Sequence, residues 1–190
     1  DLLVGLGFEF GSGLEFERFY APPKRINKKK AFMILGVGAL NKYRRFEDVV
    51  SAVRILRERK RDVRAVVVCK NIWKEDAYAA ELMQCVCAEG VEAYVDLKFD
   101  GASDEELRAL YAASDFFALT IHLPPPRNGF GWQLVPFEAM AAGTPAIVSR
   151  KIDIIEALRD GETACFVDPL SPRDIADKVE MLIENPELYA

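Results

Sequence analysis

Hydrophobic positions along this chain fall into two alternating kinds of segment. Short runs rich in β-branched and aromatic residues recur at 32–37, 63–69, 91–97, 116–121, 146–148 and 164–167. Between them the apolar residues take helical spacing. Phe46, Val49, Val50, Val53 and Leu56 form one such set, Ala79, Leu82, Met83 and Val86 the next. Leu107, Leu110 and Tyr111 follow, and Ile175, Val179, Leu182 and Ile183 complete the series. Ser103 with Glu106 has the form of a capping box, and Ser171-Pro172 puts a cap and a proline at a helix start. The strand runs are continuously apolar, so both of their faces are expected to be covered. The pattern predicts an α/β fold, a Rossmann-like parallel sheet of about six strands with helices on both faces.

Sheets of this kind bind ligands beyond the carboxyl ends of their strands, where the strand order reverses. That directs attention to the loops 36–44, 70–75, 98–103, 122–133 and 149–154. The fourth of these opens the most telling stretch. Gly129-Phe130-Gly131-Trp132-Gln133-Leu134 leads into a short apolar helix that carries one carboxylate, Glu138, and ends at Gly143-Thr144-Pro145. Backbone amides at a helix start suit phosphate. Those of Trp132, Gln133 and Leu134 are the expected donors. An ionised Glu among Val135, Phe137 and Met140 needs a partner, either ligand hydroxyls or a neighbouring protein donor. Together these features suggest a ligand with phosphate and sugar parts. Residues 1–30, with Gly5, Gly7, Gly11, Gly13 and Pro22-Pro23, stand outside the alternation. They read as a linker and edge segment, leaving 31–190 as the binding domain.

Composition narrows the class. With 190 residues, 51% of them hydrophobic and 29% charged, the chain suits one sizeable soluble domain. No apolar run reaches the roughly 18 residues of a membrane span, and the start lacks the basic stretch of a signal peptide, so none is expected. A net charge of -5 argues against bulk nucleic-acid binding. Lys24, Arg25, Lys28, Lys29 and Lys30 form one basic cluster, read as a solvated linker, with an anionic surface as the alternative. The cysteines make no framework. Cys85 and Cys87 point to different faces of a helix, while Cys69 and Cys165 lie in apolar strands. Reduced thiols fit a cytoplasmic chain, and no metal site is expected. Gly36-x-Gly38 is a weak dinucleotide signal, because Asn41 stands at the third glycine and the second strand ends in Cys69-Lys70.

Several landmarks in order resemble the C-terminal, donor-binding half of GT-B glycosyltransferases of family 4. Ser12-Gly13-Leu14-Glu15-Phe16-Glu17-Arg18-Phe19 resembles the family's Asn-Gly-Val-Asp-x-x-x-Phe linker. Val37-Gly38-Ala39-Leu40-Asn41-Lys42-Tyr43-Arg44 resembles its phosphate loop. The stretch from Ser103 to Asp115 is similar to the helix before its fourth strand, and Glu138-Ala139-Met140-Ala141-Ala142-Gly143-Thr144-Pro145 to its Glu-Ala-Met-Ala-x-Gly-x-Pro signature. Ser149, Glu156, Asp160 and Gly161 fall at family spacing. Three departures stand out. The family's sugar-contacting Glu lies eight residues before the second Glu, where this chain has Phe130; Asn128 takes that role if the loop carries an insertion. Ala39 replaces a usual Arg, and Ile152-Asp153 a usual Gly-Gly.

The resemblance implies a retaining glycosyltransferase, with hexosyl transfer expected, whose donor is a nucleotide-diphosphate sugar. It implies catalytic roles for Arg44, on the diphosphate, and for Glu138, on the ribose hydroxyls. Gly38, Ala39, Asn128, Gly131, Trp132, Gln133 and Leu134 would complete the donor site. Neither a resident cofactor nor a metal is expected, since no Asp-x-Asp pair is present. The acceptor, a glycan, lipid or other small molecule, would be held by an N-terminal domain outside this chain. A cytoplasmic protein is expected, with peripheral contact to the inner membrane face left open. Arg45 is expected to be solvated, and His122, the single histidine, to pack, contact solvent or act in the loop. Two other readings remain: a binding or scaffold module that kept the fold and lost the chemistry, and a nucleotide-sugar epimerase.

Overall fold

The computed structural model describes residues 16–21, 31–124 and 133–186. The strands are β1 (Phe32–Ala39), β2 (Val63–Lys70), β3 (Val95–Lys98), β4 (Phe116–Leu119), β5 (Ala146–Ser149) and β6 (Cys165–Val167). The helices are α1 (Phe16–Phe19), α2 (Phe46–Glu58), α3 (Asp76–Ala88), α4 (Asp104–Ala113), α5 (Val135–Ala141) and α6 (Pro172–Glu184). All six strands are parallel, in the order β3-β2-β1-β4-β5-β6. The order reverses between β1 and β4, and a crevice at their carboxyl ends follows from that topology. The expected α/β class and strand number are therefore present. The third strand is shorter than its apolar run, because Tyr94 and Val95 bond back to the Val91 carbonyl in a turn.

Alternate strand residues feed two cores, one on each face of the sheet. Phe32, Ile34, Ala65, Val67, Phe116, Ala118, Ile147 and Val167 join the apolar stripes of α2, α3 and α6. Met33, Leu35, Val66, Val68, Phe117, Leu119, Val148 and Phe166 join α4, α5 and the segment around Ile152–Leu158. This is why the runs read as continuous rather than alternating. The expected capping box at Ser103 and Glu106 is formed in both directions, and Ser171 caps α6 with Pro172 in its first turn. All four cysteines are free; Cys69 and Cys165 are buried and Cys87 is exposed.

The seam between β1 and β4 is bound at its start by Asp115. Its backbone N–H donates to the Met33 carbonyl, and its Oδ2 accepts from the Met33 N–H, both at 2.9 Å. A short carboxylate thus continues the ladder where the strand pairing itself is brief.

Candidate functional site

Gly38 and Ala39, expected in the loop, are the last two residues of β1. The chain then turns through Asn41, whose side chain accepts from the Tyr43 N–H at 2.9 Å, into a single 3-10 turn at Lys42–Arg44. Arg44 closes that turn with its side chain laid back on the strand end. A Cβ added to Gly38 would lie 2.8 Å from both Cδ and Nη1 of Arg44. Only glycine leaves the guanidinium that place. Nε and Nη1 of Arg44 are buried atoms, and burial draws the pKa of the group below its ordinary value. A guanidinium stays charged even so, and one stripped of water binds an anion more strongly than an exposed one.

The carboxyl ends of neighbouring strands hold this turn in place. Thr120, just past β4, donates from Oγ1 to the Arg45 carbonyl at 3.0 Å, and the His122 N–H donates to the Tyr43 carbonyl at 2.9 Å. Ser149, at the end of β5, receives the Ile121 N–H at 2.9 Å and donates to the Ile121 carbonyl at 3.0 Å. A chain of bonds therefore runs from β5 through the end of β4 to the Arg44 turn. Thr120 and Ser149 are both buried. The sequence marks Ser149 as a landmark but gives no sign of these partners.

Arg45 corrects an expectation. It is only partly solvated: it sits at φ 50 in the left-handed region, is 30% exposed, and pairs with Glu47 at 2.6 Å and Asp48 at 2.8 Å. Burial works against its charge, yet the Asp48 and Glu47 carboxylates raise its pKa overall. Arg45 is thereby held by α2, whereas Arg44 lies over β1. His122 keeps a buried Nδ1 without a hydrogen-bond partner, and burial raises the pKa of Asp48 even though Arg45 pairs with it.

On the other side of the seam, Gln133 and Leu134 immediately precede α5, and Glu138 lies in its first turn. Gln133 is buried, with Nε2 3.4 Å from Asp153. Leu134 stands at the N-cap without a side-chain cap, and Pro136 removes one amide from the first turn. Glu138 is half-buried and accepts from the Tyr111 hydroxyl at 2.8 Å. The neighbouring protein donor is thus a named residue of α4. Burial pushes the Glu138 pKa up, while the Tyr111 bond and the charge of Arg18 pull it down. Tyr111 appears in the sequence only as a helical core position; nothing in its spacing indicates that it meets Glu138. Asn128, Gly131 and Trp132, with Phe130, lie outside the described residues.

Helix α5 is stopped by Gly143 at φ 67, a conformation that suits glycine. Thr144 follows and donates from Oγ1 to the Tyr111 carbonyl at 2.8 Å. The Gly-Thr-Pro turn therefore fixes α5 to α4 and so holds Glu138 against Tyr111. Among the described residues no three His, Cys, Asp or Glu side chains gather as a metal site, and no helix is long and apolar enough to cross a membrane. A cavity of about 290 Å³ lies at the opposite, amino-terminal edge of β5 and β6, between Pro145, Cys165, Lys178 and Met181.

The model of the family described as glycosyl transferases group 1 matches residues 18–190. The chain belongs to this family. Among relatives of this group 1 domain, the D-inositol 3-phosphate glycosyltransferase of Corynebacterium diphtheriae is 32% identical over 151 residues, 78% of this chain and 34% of that protein. The mannosylfructose-phosphate synthase of Agrobacterium fabrum is 28% identical over 161 residues, 83% of this chain and 34% of that one. The group 1 domain described here thus spans about a third of the length of these relatives. The C-terminal domain of the glycosyl transferase group 1 family protein LpcC from Francisella tularensis has the same fold. It superposes with a TM-score of 0.75 at 24% identity, over 93% of this chain and 91% of that one. Anabaena HepE in complex with UDP-glucose superposes with a TM-score of 0.76 at 22% identity, over 93% of this chain and 48% of that one.

Proposed function

We propose that residues 31–190 are the donor-binding domain of a retaining glycosyltransferase, holding a nucleotide-diphosphate sugar at the carboxyl ends of β1 and β4. The observation that carries this reading is the buried Arg44 guanidinium lying over Gly38 at the point where strand order reverses. A diphosphate leaving group gains negative charge as the glycosidic bond breaks. A fixed cation at that position stabilises the transition state more than the ground state. Glu138, held by Tyr111, has a second carboxylate oxygen to offer ribose hydroxyls. The UDP-glucose in Anabaena HepE supports the same ligand class here.

In this reading residues 1–30 link the domain to an N-terminal one that holds the acceptor, as the greater length of the relatives suggests. The whole protein transfers a hexosyl group in the cytoplasm, and the bound group is the donor rather than a resident cofactor. Calorimetry with UDP, GDP and ADP tests the donor site. Binding of at least one with a Kd below the millimolar range is expected, and no binding by the folded chain would sink the reading. A silent binding module is the second reading, favoured by Ala39, which supplies no charge at the end of β1. Nucleotide binding with no transfer by the full-length protein would favour it.

A further inference from the structure

The two adjacent arginines part at a single backbone conformation. Arg45 stands at φ 50 and ψ 44, the left-handed region that a residue with a Cβ rarely occupies. With that bend the Arg45 side chain reaches Glu47 and Asp48, while the Arg44 side chain lies over Gly38. Such strain persists only where the surroundings hold it. Two donors meet at the Arg45 carbonyl: the Asp48 N–H at 2.9 Å and the Thr120 hydroxyl at 3.0 Å. The Arg44 carbonyl lies 3.4 Å from the same hydroxyl. The Asp48 donor belongs to α2 and comes with its first turn. The Thr120 donor comes from beyond β4, across the seam and 75 residues along the chain. We propose that Thr120 is a positioning residue for Arg44: its hydroxyl holds the Arg44–Arg45 backbone in the bend that keeps the Arg44 guanidinium at the end of β1.

The stretch after β4 grips the turn on both sides of Arg44. The Tyr43 carbonyl receives the His122 N–H and the Arg45 carbonyl the Thr120 hydroxyl, so the residues before and after Arg44 are both fixed. Ile121, between the two donors, is buried in the core on the face of α4 and α5. Its N–H and carbonyl are both bonded to Ser149, which gives Thr120 a firm base. Thr120 is itself buried, and a hydrogen bond shielded from water is electrostatically stronger than one in it. Of the two donors that β4 sends to this turn, the hydroxyl is the one a substitution can remove without altering the backbone. Thr120→Val keeps the volume and loses the donor. The Arg45 carbonyl then still accepts from the Asp48 N–H, so it is not stranded. What loosens is the bend, and with it the direction of Arg44. Gly38 leaves the guanidinium its space, and Thr120 keeps the guanidinium in it.

The binding consequence rests on the donor-site reading; the positioning itself does not, and two measurements separate them. In the nucleotide-free chain, hydrogen exchange of the Arg44 Nε–H is followed by nitrogen-15 NMR in the natural protein, Thr120→Val and Thr120→Ser. The signal is assigned by its loss in Arg44→Lys. The buried Nε–H is expected to exchange about tenfold faster in Thr120→Val and close to the natural rate in Thr120→Ser. An unchanged rate in Thr120→Val overturns the proposal. UDP calorimetry on the same proteins should show affinity falling by about three- to tenfold in Thr120→Val, the scale of one hydrogen bond, with most of it restored in Thr120→Ser. In an Arg44→Ala background the Thr120→Val substitution should add no further loss. A full additive loss there would mean that Thr120 props β4 and not Arg44, and would overturn the proposal. Faster Nε–H exchange together with no UDP binding by the natural chain would sink the donor-site reading and leave the positioning standing.

Discussion

At the scale of single residues, Arg44 and Gly38 act as a unit. The guanidinium occupies the space that any other side chain at position 38 would take. Arg44→Ala should weaken UDP binding about tenfold or more, the scale of one charge-assisted phosphate contact. Gly38→Ala should do nearly as much by displacing the same group, and the double variant should be little worse than either single one. Calorimetry on the four proteins reads this as strong non-additivity; additive losses would separate the two residues. Glu138 poses the opposite test. Its folded pKa is raised, so the ionised carboxylate costs stability above that value, and the cost fades as pH falls toward the ordinary Glu range. Glu138→Gln should therefore raise the melting temperature at neutral pH by a few degrees, where about 1 kcal/mol corresponds to roughly 2–4 °C. The gain should vanish near pH 4, and UDP binding should weaken at neutral pH, where the natural side chain is ionised.

At the scale of elements, the C-terminal turn of α5 ties that helix to α4. Gly143→Ala would force a side chain into the left-handed region, a loss of about 1 kcal/mol. Thr144→Val would leave the Tyr111 carbonyl short of its buried donor, a loss of about 1–3 kcal/mol. Urea denaturation measures both, and Thr144→Val should also weaken UDP binding because Tyr111 positions Glu138. How much of this could be read from the sequence follows from its range. Period and capping are local, so the strands, helices α2 to α6 and both Ser caps were legible, whereas the single turn of α1 fell in the segment read as a linker. The Gly-Thr-Pro signature was legible as a turn, but not as a clamp on α4. The bonds from Ser149 to Ile121, Thr120 to Arg45 and Tyr111 to Glu138 join positions 27 to 75 residues apart. A hydroxyl carries no mark of its distant partner. Arg45 misled for the same reason: adjacent arginines look alike until the backbone turns one toward α2 and the other toward β1.

At the scale of the whole molecule, each face of the sheet has its own core, while the proposed site lies at the carboxyl ends of the central strands β1 and β4. The isolated chain should bind a nucleotide yet show no measurable transfer from a UDP-sugar to an acceptor, checked by product chromatography; transfer by this chain alone would contradict the proposed division of labour.

The brief seam between β1 and β4 has a kinetic consequence. β1 and β2 are in register along eight residues, from Phe32 and Val63 to Ala39 and Lys70, across a single helix. β1 and β4 pair only at Ile34 with Phe116 and Leu35 with Phe117, reinforced by an Asp115 bond that spans 82 residues. Closing the longer loop costs more chain entropy and brings less ladder to offset it. The β1–β2 half should form early in folding and β4 should join late. A refolding chain would then gain most of its secondary structure while still blind to nucleotide, because the groove exists only once its last strand is seated.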